Sequence, residues 1–304
     1  MHYRAIPVRL KRDLKPSKND SKHKIANMYP HLEFNLTKKS VPMVCRRRIK
    51  REKGEAMNPD QRTTIILLGT GTPNAEPDRS GPSVAILVDQ KPYIFDFGPG
   101  IVRRAAAAGI HIHELDTAFL THLHSDHTAG YPDLILTPWV LGRTRPLEVY
   151  GPPGIKEMTE NLLAAYNQDI HERLCGLEPA NTTGYCVHPH EIEPGIVYRD
   201  AALYVEAFPV SHGSWQAFAY KVCTPDRTIV ISGDTAPTEM MVEQAKGCDV
   251  LIHEVYSVEG FKTHRPEWQE YHRCVHTSSY ELAEIASQAA PGLVILYHQL
   301  FWGV

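Results

Sequence analysis

Residues 121–130, THLHSDHTAG, hold three histidines and an aspartate within six positions: His122, His124, Asp126 and His127. In extended or tightly turned backbone, side chains at i and i+2 point the same way, so His122 and His124 can reach one ion. Asp126 and His127, at the start of the next turn, can face a second ion close by. Imidazole suits zinc, and a site with open coordination positions is what hydrolysis needs. Two further H-x-H pairs occur, His111/His113 and His188/His190. Neither is followed by Asp-His, and both are read as surface or loop histidines.

A cluster of this kind needs rigid elements to hold it. From residue 63 the chain becomes a series of short apolar runs, rich in β-branched and aromatic residues and separated by turns, which predict about ten strands. Helices are predicted over 100–109, 155–167, 237–246 and 278–290, the last opened by Ser278 and Glu281 in capping-box spacing. Several runs end in, or lead into, a residue able to bind metal or move protons: Asp96, His122, His212, Asp234, Glu254 and His298. Strand ends gather at one edge of a sheet, so these six are expected to share a single site. Strands mixed with helices in this proportion imply a layered α/β or α+β sandwich.

The ordered set H-x-H-x-D-H, LGTGTP (68–73), DFGPG (96–100), SGDT (232–235), IHE (252–254) and HTSSYELAEIA (276–286) resembles the metallo-β-lactamase superfamily, in its ribonuclease Z-like and arylsulfatase-like branch. The resemblance covers nearly all of 63–304 and none of the first sixty residues. It implies an α+β fold, a four-layer αββα sandwich. It also implies a dinuclear centre of two zinc ions, with manganese or iron(II) as alternatives. Carried over by motif, His122, His124 and His212 hold the first ion, Asp126, His127 and His298 the second, and Asp234 bridges them. Asp96 resembles the family's supporting aspartate, which orients the histidine loop. Two cations about 3.5–4 Å apart polarise a scissile bond and lower the pKa of water towards ~7. Asp126 then accepts a proton, while Glu254 and His276 resemble the pair that handles the leaving group. A carboxylate beside His276 is expected to raise the imidazole's pKa. His253 and His264 are read as structural.

The 304 residues are ordinary for a soluble globular protein, 42% hydrophobic and 22% charged. No apolar stretch reaches the length of a membrane span, and the six scattered cysteines suit a reducing, cytoplasmic setting. The net charge of −3 hides an asymmetry. Residues 1–57 carry 16 lysines and arginines against 5 acidic residues, whereas the remainder holds 16 against 30, a net of −14. Residues 1–57 are therefore read as a basic, disordered extension and 58–304 as the hydrolase domain. EKGEAM (52–57) also reads as translated leader before a start at Met57, in which case residues 1–56 are not native.

Departures from the family narrow the substrate. Asp234 stands where a dedicated β-lactamase carries Cys or Ser. His124 stands where a flavodiiron oxidoreductase carries glutamate. Ribonuclease Z enzymes often insert a tRNA-gripping arm between the third-motif histidine and the bridging aspartate, but His212 and Asp234 are only 22 positions apart. The acidic body also disfavours a large polyanion. The expected activity is therefore hydrolysis of a small anionic ester, a phosphodiester or sulfate ester, without a membrane. The alternative is a tRNA 3′-processing endoribonuclease. Behind these stand a lactonase or β-lactamase-like amide hydrolase, and a non-catalytic metal- or nucleic-acid-binding module, which would have lost ligands that are all present here.

Arg143 and Arg145 are expected to meet an anionic substrate, with Trp139, Tyr166 and Trp215 as apolar walls. Val304 lies six residues beyond His298, where family members continue with a further helix and strand. The reading therefore expects that helix and strand to be missing, with marginal stability or a homodimer covering the exposed surface.

Overall fold

A computed structural model describes residues 63–303. The predicted basic extension and the proposed start at Met57 lie outside the described residues. Two six-stranded sheets form the centre, and their order follows the chain closely. The first sheet runs β1 (Thr64–Gly69), β2 (Ser83–Val88), β3 (Lys91–Phe95), β4 (Thr117–Phe119), β5 (Leu147–Gly151), β6 (Val187–Glu191). The second runs β12 (Val294–Leu300), β11 (Val250–Tyr256), β10 (Thr228–Ile231), β9 (Trp215–Cys223), β8 (Tyr204–His212), β7 (Gly195–Arg199).

The period of two in the strands builds the layers. Ile65 and Leu67 of β1, with Val84 and Ile86 of β2, meet Ile229 and Ile231 of β10 and Ile252 of β11 in the core between the sheets. The intervening residues Ile66, Leu68, Ala85 and Leu87 face outward, beneath α1 (Ile101–Ala107), α3 (Tyr131–Val140) and α4 (Ile155–Ala165). On the other side Val230 and Leu251 pack under α6 (Glu239–Ala245) and α9 (Ser279–Ala289). Strands covered on both faces are apolar throughout, as in SVAILV, where every residue is buried. The result is the expected four-layer αββα sandwich. The capping box appears as predicted, with Ser278 Oγ accepting from the Glu281 N–H and the Glu281 carboxylate from the Ser278 N–H.

The described residues contain more elements than the sequence patterns predicted. The helices α2 (Ser125–Thr128), α3, α5 (Asn167–Cys175), α7 (Val258–Phe261) and α8 (Pro266–Val275) were not expected, nor were β6 and β7. His188 and His190 therefore sit on an edge strand and not in a loop, and each holds Glu148 of β5 at 2.7 Å. Pro189 between them fits an edge position, where a missing N–H costs no ladder bond. His111 and His113 lie at a short 3-10 turn and are exposed, as expected.

Arg143 and Trp139 require a correction. Both are buried, at 1% and 2% exposure, and neither lines a substrate cleft. The Arg143 guanidinium donates to the carbonyls of Leu115 (2.7 Å), Leu134 (3.0 Å), Ile135 (2.7 Å) and Gly184 (2.9 and 3.1 Å). One reason lies in α3 itself. Pro138 has no N–H to give to the Leu134 carbonyl four residues earlier, and Arg143 supplies the missing donor. The Trp139 indole donates to the Asn181 carbonyl at 2.8 Å. Arg145 spends its charge on Asp116, 2.6 Å away. Among the described residues no helix is long and apolar enough to cross a membrane.

Candidate metal centre

The site lies at one edge of the two sheets, and each functional side chain is aimed by a local backbone feature. Asp96 follows β3 in the left-handed region, with φ of 58°. That turn points its carboxylate at the histidine loop, where Oδ1 accepts the Thr121 N–H at 2.8 Å and Oδ2 meets His127 Nδ1 at 2.9 Å. Gly98 and Gly130 let this loop close on the short helix α2. A Cβ on Gly98 would come within 2.5 Å of the Asp126 carbonyl oxygen, and one on Gly130 within 2.3 Å of the Gly98 carbonyl oxygen. His212 is the last residue of β8, and Asp234 lies three residues beyond the end of β10, after Ser232 and Gly233. His298 stands at a bulge in β12, where Glu254 pairs with Tyr297 but Val255 pairs with Gln299. The skipped residue has φ of 42°, and the bulge re-aims its ring into the site.

Three donor groups overlap there, and within each the ligand atoms lie within 4.8 Å of one another. One comprises His122, His124, His212 and Asp234; a second Asp126, His127 and His298; a third Asp234, His276 and His298. His124 Nδ1 lies 3.0 Å from His122 Nε2 and 3.2 Å from His212 Nε2. Those separations approach the edge of about 3.3 Å spanned by ligands 2.0–2.1 Å from a common centre. Asp234 faces both sides: its Oδ2 lies 3.9 Å from His122 Nε2 of the first group, while Oδ1 lies 3.3 Å from His127 Nε2 and Oδ2 3.2 Å from His298 Nε2 of the second.

The protonation pattern suits a cation. His212 donates its Nδ1–H to the Val275 carbonyl at 2.8 Å, and His127 donates Nδ1–H to Asp96. Each therefore turns its Nε2 inward. Burial holds His122 and His212 below the ordinary histidine range and brings His124 to about 4, so these three stay neutral. Burial opposes ionisation of Asp234, but His298 and His127 outweigh it and hold the carboxyl well below its usual range. Burial likewise disfavours charge on His127, and Asp234, Asp96 and Asp126 together overcome it. His127 Nε2 and Asp234 Oδ1 are buried without a hydrogen-bond partner although they face each other. Such orphaned groups are costly in a dry interior unless an ion takes up their lone pairs. Neutral imidazoles and ionised carboxylates are the ligand forms a divalent metal needs, so an ion entering the site would displace the proton that the carboxylates hold on His127.

Glu254 and His276 also meet here, but not as the sequence suggested. Glu254 Oε1 accepts from the Thr235 N–H (3.0 Å), the Thr277 N–H (3.2 Å) and His276 Nδ1 (3.0 Å). Burial, with Asp234 adding to it, pushes the Glu254 carboxyl well above its usual range, and burial pulls the His276 imidazole down. The expected rise at His276 therefore gives way to desolvation. The pair fixes the ring's orientation, with Nδ1 committed to Glu254. The proximity of His276 to Asp234 and His298 was not read from the sequence, and no spacing signals it. His253 is buried, donates Nδ1–H to the Glu254 carbonyl at 2.7 Å, and is structural as expected. Trp215, the first residue of β9, lies with its ring centroid 4.5 Å from that of His124. Tyr166 is partly exposed between α4 and α5.

A family model described as a beta-lactamase superfamily domain matches residues 92–299. Ribonuclease Z of Mycobacterium bovis (strain BCG / Pasteur 1173P2) is 32% identical over 239 residues, 77% of this chain and 85% of that protein. Ribonuclease Z of Mycobacterium sp. (strain KMS) is 34% identical over 240 residues, 78% of this chain and 84% of that protein. The crystal structure of human tRNase Z, short form, superposes with a TM-score of 0.63 at 20% identity, covering 79% of this chain and 93% of that one.

Proposed function

The chain belongs to the β-lactamase superfamily and is a metal-dependent hydrolase of ester bonds with the metallo-β-lactamase fold, and from that premise we propose that it is a dinuclear zinc phosphodiesterase that cleaves precursor tRNA at its 3′ side. The observation that carries this reading is the set of overlapping donor groups with Asp234 common to two of them. His122, His124 and His212 would hold one ion, Asp126, His127 and His298 the other, and Asp234 both. When bound, such ions supply charge stabilisation for a phosphoryl oxygen and a nucleophile at neutral pH. Asp126, its carboxyl held low by His127 and His298 against its burial, is placed to take a proton from the attacking water. Asp96 keeps the His127 ring in register, and Glu254 keeps His276 facing the departing oxygen.

The RNA substrate is supported by the ribonuclease Z relatives at 32% and 34% identity and replaces the small ester as the first reading. Positive charge for RNA would come from residues 1–57, which lie outside the described residues. A small phosphodiester is the second reading, favoured by one observation. β8 and β9 are joined by Gly213 and Ser214 alone, so no arm enters between His212 and Asp234 at that turn. The compartment proposed is the cytoplasm. A homodimer is proposed across the open edge of β12, where Leu296 is 44% exposed.

A substrate panel separates these readings: precursor tRNA with a 3′ trailer, a bis-aryl phosphodiester, an aryl sulfate, a lactone and a β-lactam. Endonucleolytic removal of the trailer is the expected result. Turnover of the aryl phosphodiester with intact precursor tRNA would replace RNA by a small ester. Turnover confined to the lactone or β-lactam would refute both.

A further inference from the structure

Two aromatic side chains stand half-exposed beside the metal centre. Trp215 is 43% exposed, with its ring at 68° to the His124 imidazole. It is placed by the tight β8–β9 turn, whose Gly213 abuts Val275 at the end of α8, where a Cβ on residue 213 would come within 3.1 Å of the Val275 side chain. One helical turn before Val275 is Tyr271, 41% exposed. Helix α8 packs on β8, and the Tyr271 ring touches those of His272 and Trp268 at centroid distances of 5.2 and 5.7 Å. The His272 ring lies in turn 5.6 Å from that of His276, which joins Asp234 and His298 in the third donor group, so Tyr271 is one ring removed from the centre.

Neither ring is consumed by the core. Large aromatic faces left in water cost free energy, and packing alone does not explain two of them bordering one polar site. Flat rings bind flat partners, and stacking on tryptophan or tyrosine tolerates any base because every base has a π-face.

We propose that Trp215 and Tyr271 form a stacking platform at the mouth of the metal centre, which seats a planar ring carried by the alcohol portion of the phosphodiester. The ring is a nucleobase next to the scissile phosphate or an aryl group, and both present the same chemistry to the platform. The proposal rests on the phosphodiesterase reading above and adds to it a determinant of which esters are taken. Trp215 acts on affinity, with no part in bond breaking.

The test compares wild type, Trp215→Ala, Trp215→Phe and Tyr271→Ala on three substrates. They are a short oligoribonucleotide, the same oligonucleotide abasic on both sides of the scissile phosphate, and a bis-aryl phosphodiester. Trp215→Ala is expected to raise KM for a ring-bearing substrate roughly 10-fold, Trp215→Phe to restore most of it, and the abasic KM to stay within about 2-fold. Loss on the oligonucleotide alone assigns a nucleobase, loss on the aryl ester alone an aryl ring, and loss on both a general platform. Each of these supports the proposal. An equal fall in kcat on all three, abasic included, would overturn it, because Trp215 would then act by positioning His124. Unchanged KM everywhere would overturn it as well. Binding of adenosine monophosphate, followed by quenching of tryptophan fluorescence and compared with Trp215→Phe, gives a readout without turnover. If wild type cleaves none of the three but the nucleotide still quenches Trp215, the phosphodiesterase reading fails and the platform stands.

Discussion

Replacing Asp234 by alanine is expected to lower phosphodiester hydrolysis by about 10³-fold or more while the fold survives. The carboxylate faces both donor groups, 3.9 Å from His122 Nε2 on one side and 3.3 and 3.2 Å from His127 Nε2 and His298 Nε2 on the other, and it is buried. Losing it removes the one negative group able to hold two ions together. A metal pair contributes several kcal/mol of transition-state stabilisation, and about 4 kcal/mol corresponds to roughly 10³ in rate. Without metal, Asp234 still pairs with His127 and His298, so the apo variant is expected to melt below wild type, and turnover is compared on protein shown to be folded. The assay pairs turnover with metal content by mass spectrometry and with thermal melting of the apo forms. A variant with full activity and two bound metals would show that Asp234 bridges nothing.

Replacing Arg143 by alanine should have the largest effect on stability. Its guanidinium is 1% exposed and donates to four backbone carbonyls. Burial brings its pKa down to about 10, so it stays charged at neutral pH. Alanine would leave the Leu134 carbonyl without a donor, because Pro138 cannot provide one, and would release the loop around Gly184. Each buried group left unpaired costs about 1–3 kcal/mol, so the sum is expected to exceed about 3 kcal/mol. For a domain of this size that lowers Tm by about 6–12 °C. Lysine should rescue only part of the loss, because its single ammonium cannot reproduce a planar fork. The comparison is made on metal-free protein by calorimetry, so that occupancy of the distant metal centre does not contribute. A melting temperature within about 2 °C of wild type would contradict this account of α3.

Much of the site was legible because its chemistry sits where strand patterns end. The H-x-H-x-D-H run is contiguous, and Asp96, His212 and Asp234 each follow or close an apolar run whose β-branched and aromatic residues mark a strand. The layers were legible for the same reason, since SVAILV and its like are buried on both faces. What escaped was set by contacts that no local pattern carries. Helix α3 hid behind Pro138, a residue that ordinarily breaks a helix, and its repair by Arg143 uses carbonyl partners that leave no mark in the side-chain sequence. Strand β6, VHPHE, is polar and proline-containing because it lies at an edge. The state of His276 was misread because the charge of a neighbouring carboxylate is visible in sequence, whereas burial of both groups is not.

The central claim is that the overlapping donor groups hold two ions that make this chain a phosphodiesterase. The most direct test strips the protein with chelator and restores zinc in known equivalents while hydrolysis of a phosphodiester is measured at each step. Negligible turnover is expected without metal, then a rise with added zinc and a plateau at two equivalents per chain. Full turnover in the presence of chelator, or none at any number of equivalents, would contradict that claim.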